Sequence, residues 1–159
     1  MDYVGPRIVR ISPYDIVFNP TASSFDKTPK IIKSIMTLGE VKKFMDDSGN
    51  TSYQAIFDKM IYARNAVKGG DGDVSKGSAY TADGFTDIKN YYDSNYVEIL
   101  TFYGDLYDYS NSMLLRDRII SVVDRAYILE NVEQPAWSGK APIFSAGWRE
   151  RPDNLYAMG

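Results

Sequence analysis

The sequence predicts an α+β fold: short helices plus an antiparallel β unit, with extended arms and a long Gly/Asp-rich loop. Three observations carry that prediction. Runs rich in β-branched and aromatic residues stand at 8–18, 28–36, 96–109 and 118–131. Capping-box patterns, Thr37-x-x-Glu40 and Thr51-x-x-Gln54, each open a segment with helical apolar spacing. Between the second helix and the later β runs, Gly69, Gly70, Gly72, Gly77 and Gly84 sit among Asp, Ser and Thr, a composition that cannot supply a packed core.

Taken in order, residues 3–20 read as extended. Ile8-Val9-Arg10-Ile11 and Tyr14-Asp15-Ile16-Val17-Phe18 are strand-like, and Ser12-Pro13 and Asn19-Pro20 interrupt them. Pro6 and Pro13 argue against a central strand, so these are edge strands or an extended arm. A turn at 21–29 leads into a strand over 28–36. A helix over 37–46 follows, with Leu38, Val41, Phe44 and Met45 on its inner face. The turn formers Asp46-Asp47-Ser48-Gly49-Asn50 end it. The next helix, 51–68, carries Ile56, Met60, Ala63 and Val67 at i, i+4, i+7 and i+11. Tyr53, Phe57 and Ile61 widen that stripe, so burial on more than one side is expected. Its ~17 residues span roughly 25 Å, and Gly69-Gly70 stops it. After the 69–90 loop, 96–103 is strand-like and 106–109 continues it past a kink at Gly104. Ser110-Asn111-Ser112 is a turn signal. Residues 118–124 and 126–131 supply further strands, and 96–103 is expected to pair antiparallel with 118–124. Residues 134–159 hold Pro135, Pro142 and Pro152 with Trp137 and Trp148, and read as an extended segment ordered by aromatic anchors.

Composition narrows the function classes. The chain has 159 residues, no Cys and no His, and a formal net charge of -3. There is no disulfide framework, no thiolate nucleophile and no imidazole for general-base or zinc chemistry. A protein that wraps nucleic-acid phosphates is normally basic, so tight DNA binding is not expected. No apolar run approaches the ~20 residues of a membrane helix, and the N-terminus predicts no secretion leader.

No catalytic, cofactor-binding or metal-binding residue emerges. Asp71-Gly72-Asp73 invites a calcium reading, but loop position 12 is Ala82 and position 6 is Lys76, so the EF-hand pattern fails. Gly69-Gly70-x-Gly72 and Ser75-Lys76-Gly77-Ser78 lack the spacing of a phosphate loop. Carboxylate pairs occur at Asp46/Asp47, Asp105/Asp108 and Glu130/Glu133. They would suit a hydrolase only if two acids converged in a deep pocket, and turn or cap roles explain them more simply. The Tyr-rich segment is more informative. Tyr91, Tyr92, Tyr96, Phe102, Tyr103, Tyr107 and Tyr109 lie close together among acids. Stacking platforms for bases pair aromatics with Lys and Arg, so a protein–protein contact patch fits better. A β core whose strands prefer aromatics fits as well. Those residues with Trp137 and Trp148 are the candidate interface set. Arg116-Asp117-Arg118 and Arg149-Glu150-Arg151 alternate in sign, as salt-bridged surfaces do.

The residues also carry a resemblance. Gly5 through Ala22 resembles the variable-Pro-x-Asp-Ile-x-Phe-[Asn/Asp]-Pro-x-Ala segment of tailed-phage portal proteins, here Ser12-Pro13-Tyr14-Asp15-Ile16-Val17-Phe18-Asn19-Pro20-Thr21-Ala22. Val97-Glu98-Ile99-Leu100-Thr101-Phe102-Tyr103-Gly104 is similar to that family's Val-Glu-x-x-x-Phe-Tyr-Gly strand. Glu133 through Pro142 and Arg151 through Gly159 resemble the stretch that re-enters the main body. Portal proteins are several times longer, so the resemblance implies an internal wing- and clip-like portion. It implies a wing-like 1–68, a flexible 69–90, a clip-like antiparallel 91–133 and a return segment 134–159. It further implies that the full-length protein forms a homo-oligomeric ring at the capsid vertex of the virion, assembled in the host cytoplasm. Double-stranded DNA passes through without tight binding, and a head–tail adaptor and the packaging motor dock to the ring, with no active site and no membrane partner. A head–tail adaptor or tail component is the alternative within virions, and a carboxylate-dependent hydrolase the alternative among enzymes.

Overall fold

The computed structural model describes residues 5, 7–69, 91–92, 94–135, 141–145, 149–151 and 154–158. Five strands form one antiparallel sheet in spatial order β1 (Ile16–Phe18), β2 (Lys30–Thr37), β3 (Tyr96–Asp108), β4 (Met113–Val123) and β5 (Tyr127–Glu133). Two helices, α1 (Leu38–Asp47) and α2 (Thr51–Gly69), lie between β2 and β3 in the chain and pack on one face of the sheet. A separate antiparallel pair, β6 (Arg149–Arg151) and β7 (Asn154–Met158), falls in the segment read as an extended return. The expected mixed α+β class with an antiparallel sheet is observed.

The parts before and after the Gly/Asp-rich segment share that sheet. β2 pairs with β3 from Lys30↔Tyr103 to Thr37↔Tyr96. A division between 1–68 and 91–133 therefore cuts through one ladder, because the β-branched run Ile31-Ile32 finds its partner strand across the gap. The expected pairing of 96–103 with 118–124 is present, from Ile99↔Val123 to Gly104↔Arg118. The predicted loop beyond Gly69 lies outside the described residues.

The arm at 7–12 joins no ladder, and Ile8 and Val9 are exposed. Ser12 caps a short 3-10 turn over Pro13–Asp15 that leads into edge strand β1. The capping box of α1 is complete: the Thr37 hydroxyl accepts the Glu40 N–H at 3.2 Å, and the Thr37 N–H donates to Glu40 Oε2 at 2.7 Å. The cap of α2 differs from expectation. Asn50 Oδ1 accepts the Ser52 N–H at 3.1 Å, while Gln54 takes a hydrogen bond from Lys42 of α1. Asn is among the best N-caps, and it stands one residue earlier than Thr51. Phe44, expected on the inner face of α1, is 52% exposed and stacks on Tyr53 instead.

Val41 and Met45 of α1, Met60 of α2, and Val97, Ile99 and Val123 of the sheet form the core. Ile56, Phe57 and Ile61 pack around it, so the wide stripe of α2 is used as expected. β3 continues past Gly104 through an irregularity in register. There Arg116 and Asp117 of β4 oppose Asp105 alone, and Asp117 takes a left-handed φ of 48°. Asp105 Oδ1 accepts the Asp117 N–H at 2.9 Å and holds the bulge. Gly104 has φ +144°, and a Cβ there would sit 3.0 Å from Pro29 Cα. Both the conformation and the approach require glycine.

Gly104→Ala is therefore expected to cost about 2–3 kcal/mol and to lower Tm by roughly 5–10 °C. Gly39→Ala, where a Cβ meets open space within α1, should leave Tm unchanged or raise it. Thermal unfolding of both variants checks the contrast.

Candidate interaction surface

The deepest polar residues sit at the root of the β3–β4 pair. Arg64 of α2 and Asp124, at the end of β4, are each 2% exposed. Their pairing is bidentate, Nε to Oδ2 and Nη2 to Oδ1, both at 2.8 Å. The Tyr91 hydroxyl donates to Asp124 Oδ1 at 2.7 Å and accepts the Glu98 N–H at 2.7 Å. Arg64 also donates to the Tyr96 carbonyl at 2.9 Å. Its guanidinium lies 5.2 Å from the ring centres of both Tyr91 and Tyr92. Burial works against the Arg64 charge, but the hydrogen bonds and charge of Asp124 outweigh it, so its pKa is raised further. Arg64 stays a cation at every accessible pH.

This clasp holds a strained turn. Asp124 and Arg125 have φ of 50° and 53°, and Ala126 N–H donates to Val123 O at 3.1 Å. Such a turn favours Asn and Gly at its centre. Here Asp124 is fixed by Arg64 and Tyr91, and Arg125 by a bidentate pair with buried Glu98 at 2.7 and 3.1 Å.

At the other end the same two strands run out of the sheet. β2 leaves β3 at Tyr103, and β5 leaves β4 at Arg118. Residues 105–117 are thus a two-stranded ribbon with Leu106↔Leu115 on one face and Tyr107↔Leu114 on the other. Leu106, Tyr107, Tyr109, Met113 and Leu114 are exposed, with Tyr109 at 87%. Tyr107 and Tyr109 meet edge to face at 5.0 Å. The tip is rigid: the Asp108 carboxylate accepts from the Asn111 side chain at 2.7 Å and from the Ser110 N–H at 2.9 Å, which holds its pKa below the ordinary value. A lone ribbon with apolar residues on both faces is marginal in water. Exposed apolar residues on both faces of such a projection mark a contact site.

The candidate aromatics therefore separate into groups. Tyr91 and Tyr92 are interior, a correction to their reading as surface: their rings cover the Arg64 charge. Phe102 and Tyr103 are half-buried in mid-sheet. Burial and then the charge of Glu130 raise the Tyr103 phenol above its ordinary value. Tyr96 is exposed at the start of β3, and Tyr107 and Tyr109 are exposed on the ribbon. Trp137 and Trp148 lie outside the described residues. Met113 and Leu114 join the patch without having been picked out. The apolar triplet Met113-Leu114-Leu115 directly after a turn is the signal that marks them.

A cleft of about 190 Å³ opens on the helix face of the sheet. Ser34, Thr101 and Ser121 form its floor, Phe44 and Tyr53 its wall, and Glu130 is its single acid. Three of the other paired carboxylates are occupied elsewhere. Asp46 pairs with Lys42, Asp105 holds the bulge and Asp108 the ribbon tip. Among the described residues no group of three metal-ligating side chains occurs. The calcium-like and phosphate-like patterns after Gly69 lie outside them. No described helix is long and apolar enough to cross a membrane. No family model, curated protein or solved structure matches the chain.

Asp124→Ala leaves a buried guanidinium without its partner and is expected to cost about 3–5 kcal/mol. Replacing Arg64 and Asp124 together by Met and Leu should cost less than either truncation alone. Urea unfolding of the single and double variants measures that coupling.

Proposed function

We propose that this chain is a structural component of a phage portal ring, through which DNA is packaged and ejected and to which the tail and packaging motor dock. The observation that carries the reading is the ribbon at 105–117. It is held at its tip by Asp108, braced where it leaves the sheet by the Asp105–Asp117 hydrogen bond, and carries exposed apolar residues on both faces. Such a projection suits contact with another protein better than contact with a small molecule. The order of the portal-like segments adds to it, as does the net charge of -3, which suits a conduit that must let a duplex slide. The role needs no catalyst's chemistry; the work is done by subunit contacts and by docking to an adaptor and a motor.

Light scattering after size-exclusion chromatography of a chain extended to the length of a portal protein is expected to give one discrete multiple of its mass, as a closed ring requires. A strict monomer at every concentration contradicts the ring. Tyr107→Ser with Leu114→Ser should weaken association by roughly tenfold or more while leaving the fold intact by circular dichroism, since both side chains are exposed. Retention of duplex DNA should be weak and lost between about 50 and 200 mM salt. Tight, salt-resistant binding would contradict a sliding conduit.

A further inference from the structure

The five-stranded sheet has an outer strand at each side, β1 and β5, and among the described residues no strand pairs with the outer edge of β5. β5 is long enough to template a strand, and Ile128 and Val132 on it are exposed. The arm Arg7-Ile8-Val9-Arg10-Ile11 has the opposite character. It is β-branched and pairs with nothing, and Ile8 at 104% and Val9 at 77% stand in solvent. Among the described residues no ion pair or side-chain hydrogen bond engages the side chains of Arg7, Arg10, Glu130 or Glu133.

The two segments match in one antiparallel register. Setting Arg7 opposite Glu133 places Ile8 opposite Val132, Val9 opposite Asn131 and Arg10 opposite Glu130. Both cations then face acids, one pair on each side of the sheet, and the exposed apolar residues Ile8 and Val132 meet. The backbone phase agrees. The Gln134 N–H donates inward to Asp117 O, so Glu133 and Asn131 direct their N–H and C=O groups outward; the Asn131 C=O already accepts from Arg118 Nη2 at 2.9 Å and has its second lone pair left for an added strand. A slip by one residue would break both charge pairs and turn Ile8 to the wrong face.

The partner strand must come from another chain. β1 and β5 are four strand spacings apart, about 19 Å. The three Cα steps from Pro13 back to Arg10, across Ser12 and Ile11, reach only roughly 10 Å. We propose that the arm of one copy adds to β5 of a second copy as a sixth strand, with Arg7 on Glu133 and Arg10 on Glu130. The contact is head-to-tail, so each copy offers an arm on one side and an acidic edge on the other. Its closure into a ring rests on the portal reading; the strand addition itself does not.

The absence of Cys makes a direct test possible. Ile8 and Val132 would form a non-hydrogen-bonded pair with Cα atoms about 4.5 Å apart, within disulfide reach. Ile8→Cys with Val132→Cys in the full chain is expected to give a ladder of intermolecular disulfides under mild oxidation. The slipped pair Val9→Cys with Val132→Cys should form them about tenfold less. Arg7→Glu with Arg10→Glu should weaken association roughly tenfold, and adding Glu130→Arg with Glu133→Arg should restore it. Absence of the ladder while the wild-type protein still forms a closed oligomer overturns the arm contact and leaves the ring reading standing. An open-ended ladder without closed oligomers supports the arm contact and counts against the ring. Equal cross-linking of the two cysteine pairs overturns the register.

Discussion

The fold depends on a buried charge that is never left alone. Arg64 enters the interior from α2, and among the described residues Asp124 is the acid that pairs with it. Burying two ions is expensive, and their attraction repays that cost only with good geometry and satisfied remaining donors. Both conditions are met. The pair is bidentate, Tyr91 bridges Asp124 to the Glu98 amide, and the Tyr96 carbonyl takes another guanidinium proton. Through these bonds one helix, the entry to β3 and the exit from β4 become a single unit. The left-handed turn at Asp124–Arg125 persists because both of its side chains are held.

That rigidity at the root gives the far end its meaning. β3 and β4 run from the clasp to the ribbon, and roughly 40 Å of strand separates the two ends of β3. The bulge at Asp117 and the close approach of Gly104 to Pro29 set where the strands leave the sheet. Beyond that point the apolar side chains have no neighbour to cover them within the described chain. The core is thus satisfied on the helix face, while the ribbon, the arm and the β5 edge keep their unmet valences at the periphery. The proposed ring would give these uncovered elements a partner of the same sequence.

Much of this was legible in the residues. The spacing of Ile56, Met60 and Val67 located α2, Thr37 and Glu40 located the start of α1, and Gly104 marked the kink in β3. What escaped was set by partners distant in sequence. Arg64 reads as a surface residue of a helix until Asp124, 60 residues away, is placed beside it. Tyr91 and Tyr92 look like interface aromatics for the same reason, since nothing local shows that they roof a buried cation. The start of β4 at Met113 rather than Arg118 was hidden by the bulge, which breaks the alternation that identifies strands. Phe44 had the right spacing for the core and was diverted to stack on Tyr53.

Hydrogen exchange of the assembled and dilute protein tests most directly the claim that the clasp is a fixed root and the uncovered ribbon the contact surface. Amides of the clasp, such as Glu98 and Asp124, should be equally protected in both states. Amides of residues 105–117 should gain protection only on assembly. Assembly that leaves the ribbon exchanging at its dilute rate, or that changes protection at the clasp instead, would contradict the account.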